Sequence, residues 1–100
     1  MKEQKPYLVQ IRDIEGWDEL REKICKVYGI NDPEKILART KAQPYNEARQ
    51  VLMYCLYRNG VGPSVVEKKT GYKHSTVKYS YDKIQGYIDT YKEYQWINEL

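Results

Sequence analysis

Apolar side chains recur every three or four residues along most of the chain, which is the spacing of amphipathic helices. The first such segment extends from about residue 14 to 28, and its apolar face is formed by Trp17, Leu20, Ile24, Val27 and Tyr28. Gly29 is expected to end this helix, because glycine is common just after the last helical residue. Asp32 and Pro33 then begin a short helix, because aspartate caps free backbone N–H groups and proline fits the first helical position.

The strongest apolar stripe lies in the middle of the chain. After a basic loop that ends at Pro44, Asn46 is a candidate cap for a helix that continues to about Asn59 and carries Val51, Leu52, Cys55 and Leu56. We predict that this is the central core helix. A short helix from Pro63 or Ser64, a turn containing Gly71 and a long helix from about residue 74 to 94 follow.

No segment shows the sustained two-residue alternation of a sheet. The pattern therefore predicts an all-α fold, a small bundle of about five helices with a long C-terminal helix. We assign residues 1–13 to an N-terminal extension, 14–94 to the folded domain and 95–100 to a C-terminal tail.

Composition narrows the class of protein. The chain is 41% hydrophobic and 31% charged, as expected of one soluble domain, and it has neither a long apolar run nor an apolar signal segment at its start. We therefore expect a cytoplasmic protein with no membrane partner. Cys25 and Cys55 lie on separate apolar patterns and are expected to be buried free thiols. With a single histidine, His74, no zinc site is expected, and we predict no cofactor and no small-molecule substrate.

Charge is distributed unevenly along the sequence. Residues 35–79 hold nine basic and two acidic side chains, a net charge of +7, whereas residues 1–34 hold six basic and eight acidic ones. A basic block of this kind is typical of a phosphate-binding surface, although a solvated face gives the same count. The chain also has eleven tyrosines and no phenylalanine, which suits half-buried positions or stacking on bases.

The stretch from Pro63 to Tyr81 has the outline of a helix-turn-helix, in which the second helix enters the major groove of DNA by its N-terminal end. That end offers free N–H groups and a partial positive charge to phosphate. Side chains able to reach bases or phosphates are concentrated there: Lys73, His74, Ser75, Thr76 and Lys78. Lys68 and Lys69, on the preceding helix, face either phosphate or solvent.

These segments resemble the C-terminal DNA-binding domain of the bacterial chromosomal replication initiator DnaA. The likeness covers roughly residues 14–88. The matching residues are Ile24 to Ile30, Ile36-Leu37, Glu47 to Tyr54 (E-A-R-Q-V-L-M-Y), His74 to Val77 (H-S-T-V) and Lys83-Ile84. The E-A-R-Q and H-S-T-V segments are specific to that family only in combination.

The resemblance implies a Trp-repressor-like fold and particular contacts with double-stranded DNA. His74, Ser75 and Thr76 would touch bases and the adjacent backbone in the major groove, and Arg49 and Gln50 would contact phosphate. The loop from Arg39 to Gln43 would reach into the minor groove, with Lys41 where the family has an arginine. Replication-initiation or regulatory proteins are possible further partners.

The chain also departs from the family. Lys73 replaces an aspartate that helps to select cytosine-containing steps, the basic loop has fewer arginines, and the loop around Asp32 is one residue longer. We therefore do not expect the family's usual target sequence. The chain lacks a G-x-x-x-x-G-K-[ST] phosphate loop, so it is expected to be a free-standing DNA-binding domain or a fragment rather than an ATPase.

We predict that the protein is not an enzyme, because Ser75 and His74 are sequence neighbours that do not face each other and no carboxylate–histidine grouping is apparent. A sequence-selective duplex DNA binder, acting in replication or transcription, is the leading hypothesis. Two alternatives stay open. One is a protein-interaction module that has lost DNA recognition and uses Tyr87, Tyr91, Tyr94 and Trp96. The other is an RNA or single-strand binder that stacks bases on its tyrosines.

Overall fold

The structure, a computed structural model, describes residues 16–100, apart from the side chains of Trp17 and Lys69. Within this range the chain forms four α-helices and two 3-10 helices and no strand. In chain order they are α1 (Trp17–Tyr28), η1 (Pro33–Leu37), α2 (Tyr45–Arg58), α3 (Pro63–Thr70), α4 (His74–Thr90) and η2 (Lys92–Glu99). The predicted all-α bundle is confirmed. The predicted N-terminal extension, residues 1–13, lies outside the described residues.

Local sequence signals set the ends of the first two helices. Gly29 adopts a φ of 71°, and its N–H and that of Ile30 bond to the Lys26 and Cys25 carbonyls in a Schellman arrangement. The Asp32 carboxylate accepts a hydrogen bond from the backbone N–H of Glu34 at 3.1 Å, as the cap prediction required. The chain therefore reverses between α1 and η1 within four residues.

Helix α2 is the centre of the core. Every residue from Ala48 to Leu56 is buried, and α2 packs against α1, α3, α4 and η1. Fully enclosed side chains from the surrounding helices complete the core: Ile24, Ile36, Val66, Val77, Ile84 and Ile97. Cys25 and Cys55 are both free and buried, which confirms the prediction of buried free thiols. Burial raises the pKa of the Cys55 thiol to about 11.

Three features differ from the sequence predictions. Asn46 does not cap α2, because the helix begins one residue earlier and the Gln43 side chain accepts from the Glu47 N–H at 3.0 Å instead. Val27 is 56% exposed rather than part of the apolar face of α1. Helix α4 ends at Thr90, four residues before the predicted end.

The C-terminal segment belongs to the folded domain. Residues 95–100, assigned to a tail from sequence, lie mostly in η2, whose Ile97 is fully buried. The Gln95 side chain donates to the Ile88 carbonyl at 2.6 Å, and Arg58 donates to the Ile97 carbonyl at 3.4 Å. Polar neighbours interrupt the apolar spacing of this segment, so the sequence did not predict its packing. Ile97 is buried, and Tyr94, Trp96 and Leu100 pack against the core beside it.

Within residues 16–100, none of the helices combines the length and the apolar character that a membrane span requires.

Candidate nucleic-acid interface

A three-residue turn joins α3 to α4, as the sequence predicted. Gly71 opens this turn with a φ of 80°, a backbone conformation that residues with a Cβ atom rarely adopt. A Cβ atom at this position would also lie 3.1 Å from Nη2 of Arg39. The backbone conformation therefore favours glycine, and any larger residue would also have to displace the Arg39 guanidinium slightly.

Glu67 of α3 organises the start of α4 and pairs with His74, so the expectation that the chain has no carboxylate–histidine grouping was wrong. Its Oε1 accepts from the backbone N–H of His74 at 3.3 Å and lies 2.8 Å from Nδ1 of the His74 ring. This contact fixes the ring through Nδ1 and leaves Nε2 without a hydrogen bond among the described residues. The carboxylate also stabilises the positive N-terminal end of α4.

The N-terminal turn of α4 is open to solvent. Five of the predicted DNA-binding residues are exposed there: Lys73, His74, Ser75, Thr76 and Lys78. Tyr79, one turn further along, is 60% exposed, whereas Val77 and Ser80 are fully buried. The alternation follows the helical period, so one side of α4 anchors the helix and the other carries the polar groups.

Arg49 has an internal role, which corrects the prediction that it contacts phosphate. It is only 5% exposed, and its guanidinium donates to the Ala38 carbonyl at 2.7 Å, the Thr40 carbonyl at 2.8 Å and Oδ1 of Asn46 at 2.8 Å. Burial lowers the pKa of Arg49, but a guanidinium remains protonated in proteins. Arg49 thus fixes the basic loop to α2 by satisfying carbonyls that have no helical partner.

Tyr72 joins the same loop to the turn before α4. Its ring lies between the guanidinium groups of Arg39 and Arg49, at 4.5 and 4.8 Å from the ring centroid, and its hydroxyl donates to the Ala38 carbonyl at 3.1 Å. Arg39 in turn donates to the Gly71 carbonyl at 2.7 Å. We call the set Arg39, Arg49 and Tyr72 the arginine–tyrosine clamp. It holds two segments more than thirty residues apart in one arrangement.

A groove of about 620 Å³ lies between the basic loop, the first half of α2 and the first half of α4. Among its lining residues are Arg39, Lys41, Arg49, Gln50, Thr76 and Lys83. We call it the basic groove, because no Asp or Glu of the described residues lines it. Exposed Lys41 and Thr76 both line it, so the predicted loop and the predicted helix end border one depression.

The remaining predicted residues have different outcomes. Gln50 is 8% exposed and lines the basic groove, and its enclosed Oε1 has no hydrogen-bond partner among the described residues. A phosphate contact would need the Nε2 donor of this side chain, so that contact stays a prediction. Arg39 is exposed but engaged in the clamp. The side chain of Lys69 lies outside the described part of the structure.

Sequence reasoning missed Glu67, Tyr72 as a clamp residue, and Lys83. Lys83 lines the basic groove, with Nζ 5.7 Å from the centroid of the Tyr87 ring. A signal for Glu67 was present, because it is one of only two acidic residues in the basic stretch 35–79. The spacing of Arg39, Arg49 and Tyr72 gives no comparable signal, since it depends on the tertiary fold.

Comparison of the chain with models of known protein families, with curated proteins and with solved structures finds no match in any of the three.

Proposed function

We propose that this protein binds double-stranded DNA, with the N-terminal end of α4 in the major groove and the basic loop directed toward the adjacent minor groove. The observation that carries the proposal is the common border of these two segments. The clamp holds Lys41 on the same depression as Thr76, next to the exposed Lys73, His74 and Ser75. Major-groove reading by a helix end and minor-groove contact by a neighbouring loop need this proximity.

In this arrangement the sugar–phosphate backbone between the two grooves crosses the basic groove. Lys41 and Lys83 neutralise phosphate, and the free N–H groups of α4 add a partial positive charge. Arg49 and Arg39 contribute mainly by positioning, since their donors are engaged with carbonyl groups of the protein. His74, Ser75 and Thr76 contact the bases.

The resemblance to the DNA-binding domain of the initiator DnaA supports the same assignment and suggests a role in replication or its regulation. Lys73, in place of the family's aspartate, changes the expected selectivity. An ammonium group donates to guanine O6 or N7 or to phosphate, whereas a carboxylate accepts from cytosine. We therefore propose a target that differs from that family's usual origin sequence.

The experiment is selection of the preferred site from random duplex DNA, followed by affinity titrations at several salt concentrations. For contact with about five phosphates, log affinity should fall against log salt with a slope near −4 to −5. His74→Ala and Thr76→Ala should each weaken binding of the selected site by about 1–3 kcal/mol. Thr90→Ala, at the other end of the same helix, is the matched control and should bind as the wild type does.

Two results would overturn this proposal. One is a flat salt response with unchanged affinity in both variants. The other is tighter binding to single-stranded than to duplex probes of the same sequence, which would favour recognition by base stacking on tyrosines.

A further inference from the structure

A second groove, of about 550 Å³, lies between the C-terminal end of α1, the start of α2 and the junction of α4 with η2. Its lining residues are mostly aromatic, with two carboxylates and no Lys or Arg among the described residues: Tyr28, Glu47, Tyr87, Tyr91, Glu93 and Tyr94, with Val27 and Trp96 beside them. We call it the acidic aromatic groove. Val27 is 56% and Tyr91 49% exposed, so apolar surface is open to solvent here.

Among the described residues, the Glu47 carboxylate is held in place by tyrosine hydroxyls and not by a cation. Tyr28 donates to its Oε2 at 2.6 Å, and the Tyr94 hydroxyl lies 3.2 Å from both carboxylate oxygens. Burial and the hydrogen bond to Glu47 raise the pKa of Tyr28, and burial together with the nearby charge raises that of Tyr94 to about 12. Both hydroxyls therefore stay protonated donors at neutral pH.

This carboxylate has acceptor capacity left. An ionised carboxylate offers about four lone-pair sites, and two hydroxyl groups do not fill them. None of the ion pairs found in the described residues involves Glu47 or Glu93. Within residues 16–100 this half-buried carboxylate therefore has no counter-charge, and a cation supplied by a binding partner would offset its desolvation.

The aromatic rings favour the same kind of partner. Tyr87, Tyr91 and Tyr94 form a contiguous cluster with ring centroids 4.9–6.2 Å apart. Exposed ring faces attract cations, and the planar guanidinium both stacks on such rings and forms paired hydrogen bonds with carboxylates. A lysine ammonium meets only part of this pattern, because it is a compact point charge.

We propose that the acidic aromatic groove binds an arginine-containing segment of a protein partner, with the guanidinium between Glu47 and Glu93 and against the Tyr91 and Tyr94 rings. Apolar neighbours of that arginine cover Val27 and Trp96. The groove has the same negative charge as a nucleic acid and would repel it, so this surface is separate from the proposed DNA interface. Binding at the acidic aromatic groove therefore does not depend on the proposed DNA binding.

The test uses a defined probe, an acetylated and amidated peptide Gly-Leu-Arg-Leu-Gly, titrated into the uniformly ¹⁵N-labelled protein. We expect saturable shifts of the Trp96 indole N–H and of the Val27 and Tyr91 amide signals. The same peptide with neutral citrulline in place of arginine should bind about tenfold more weakly, because the charge-assisted bonds are lost. Glu47→Gln and Tyr91→Ala should each weaken binding about fivefold or more.

Glu19→Gln is the matched control, since it removes one exposed carboxylate from α1 away from the groove, and it should leave binding unchanged. Glu47→Gln keeps an oxygen that accepts from Tyr28 and Tyr94, and an unchanged spectrum elsewhere verifies its fold. The proposal is overturned by equal binding of the arginine and citrulline peptides, by equal affinity of Glu47→Gln and Glu19→Gln, or by no saturable shift at millimolar peptide. Concentration-dependent shifts of the free protein that Glu47→Gln abolishes would identify a second copy as the occupant and would also overturn it.

Discussion

The basic groove and the acidic aromatic groove are similar in size, and both are bordered by α2 and α4, yet their chemistry is opposite. In the basic groove the Tyr72 ring lies between two guanidinium groups and its hydroxyl donates to a backbone carbonyl. In the acidic aromatic groove the Tyr28 and Tyr94 hydroxyls hold a carboxylate while their rings line the surface. Tyrosine orders a cationic site in one place and an anionic site in the other.

The contrast arises from neighbouring positions of one helix. Asn46, Arg49 and Gln50 of α2 line the basic groove, whereas Glu47 lines the acidic one. Successive residues of a helix are separated by about 100°, so adjacent positions can serve different surfaces. Both grooves use a ring and a hydroxyl together, which phenylalanine cannot supply. This dual use gives a physical reason for tyrosine rather than phenylalanine at positions 28, 72 and 94.

The largest expected effect is that of Arg49→Met, which removes one guanidinium group of the arginine–tyrosine clamp beside the basic groove. The change removes three hydrogen bonds and leaves the Ala38 and Thr40 carbonyls without those donors. We expect a loss of about 2–4 kcal/mol in the free energy of unfolding, measured by urea titration. We also expect weaker duplex binding, because Lys41 is no longer held beside Thr76.

Lys35→Met is the control for Arg49→Met. Lys35 is exposed on η1, so this variant loses the same charge without losing the clamp, and its stability should stay within about 0.5 kcal/mol of the wild type. Equal stability of the two variants would contradict a positioning role for Arg49.

A smaller effect is expected from Tyr72→Phe, which separates the two uses of tyrosine in the clamp. The ring between the arginines is retained, but the hydrogen bond to the Ala38 carbonyl is lost. We expect a destabilisation of about 0.5–1.5 kcal/mol in urea unfolding. Tyr79→Phe, at an exposed site of α4, is the matched control and should be neutral. A cost as large as that of Arg49→Met would show that the hydroxyl, rather than the stacked ring, dominates the clamp.

The smallest expected effect concerns the stability that the tyrosine hydroxyls of the acidic aromatic groove contribute at alkaline pH. The pKa values of Tyr28 and Tyr94 are raised above their ordinary value of 10.0, so at higher pH the unfolded chain loses these protons first. Stability from these groups is therefore complete below about pH 10 and falls as the pH rises toward 12 and beyond. Glu47→Gln should lower both pKa values and make this fall shallower, as measured by urea midpoints at about pH 8 and pH 11.

One further titrating group and one control variant bear on the interpretation of this alkaline measurement. The Cys55 thiol, with a pKa raised to about 11 by burial, adds a loss in the same direction that Glu47→Gln does not alter. Glu19→Gln removes an equal charge and should follow the wild-type pH profile. A Glu47→Gln profile identical to that of Glu19→Gln would mean that the carboxylate has no influence on the tyrosine hydroxyls.

The elements of the fold were predictable because each is set by neighbouring residues. Helical spacing of apolar side chains placed α2, the Asp32 cap placed η1, and Gly71 placed the turn before α4. Ile97 shows the limit of this reasoning, since its burial depends on contact with α2 and α4 rather than on its own segment. The exposed positions Lys73 to Thr76 followed from the helix start alone.

The organisation of the candidate site was less predictable. A lysine or arginine in a basic stretch has the same sequence signature whether it meets phosphate or a protein carbonyl, and Arg49 meets carbonyls. The partners of Glu47 are contributed by α1 and η2, at separations of 19 and 47 residues. Such contacts arise from tertiary packing, so neither the clamp nor the second groove is encoded in any local pattern.

The central claim is that DNA binds at the basic groove and not at the acidic aromatic groove. Amide chemical-shift mapping with a duplex of about 20 base pairs, two helical turns, tests it most directly. We predict that the duplex shifts the signals of Lys41, Ser75, Thr76 and Tyr79 and leaves those of Val27, Tyr91 and Trp96 unchanged. Shifts confined to the acidic aromatic groove, or no shift around the basic groove at low salt, would contradict it.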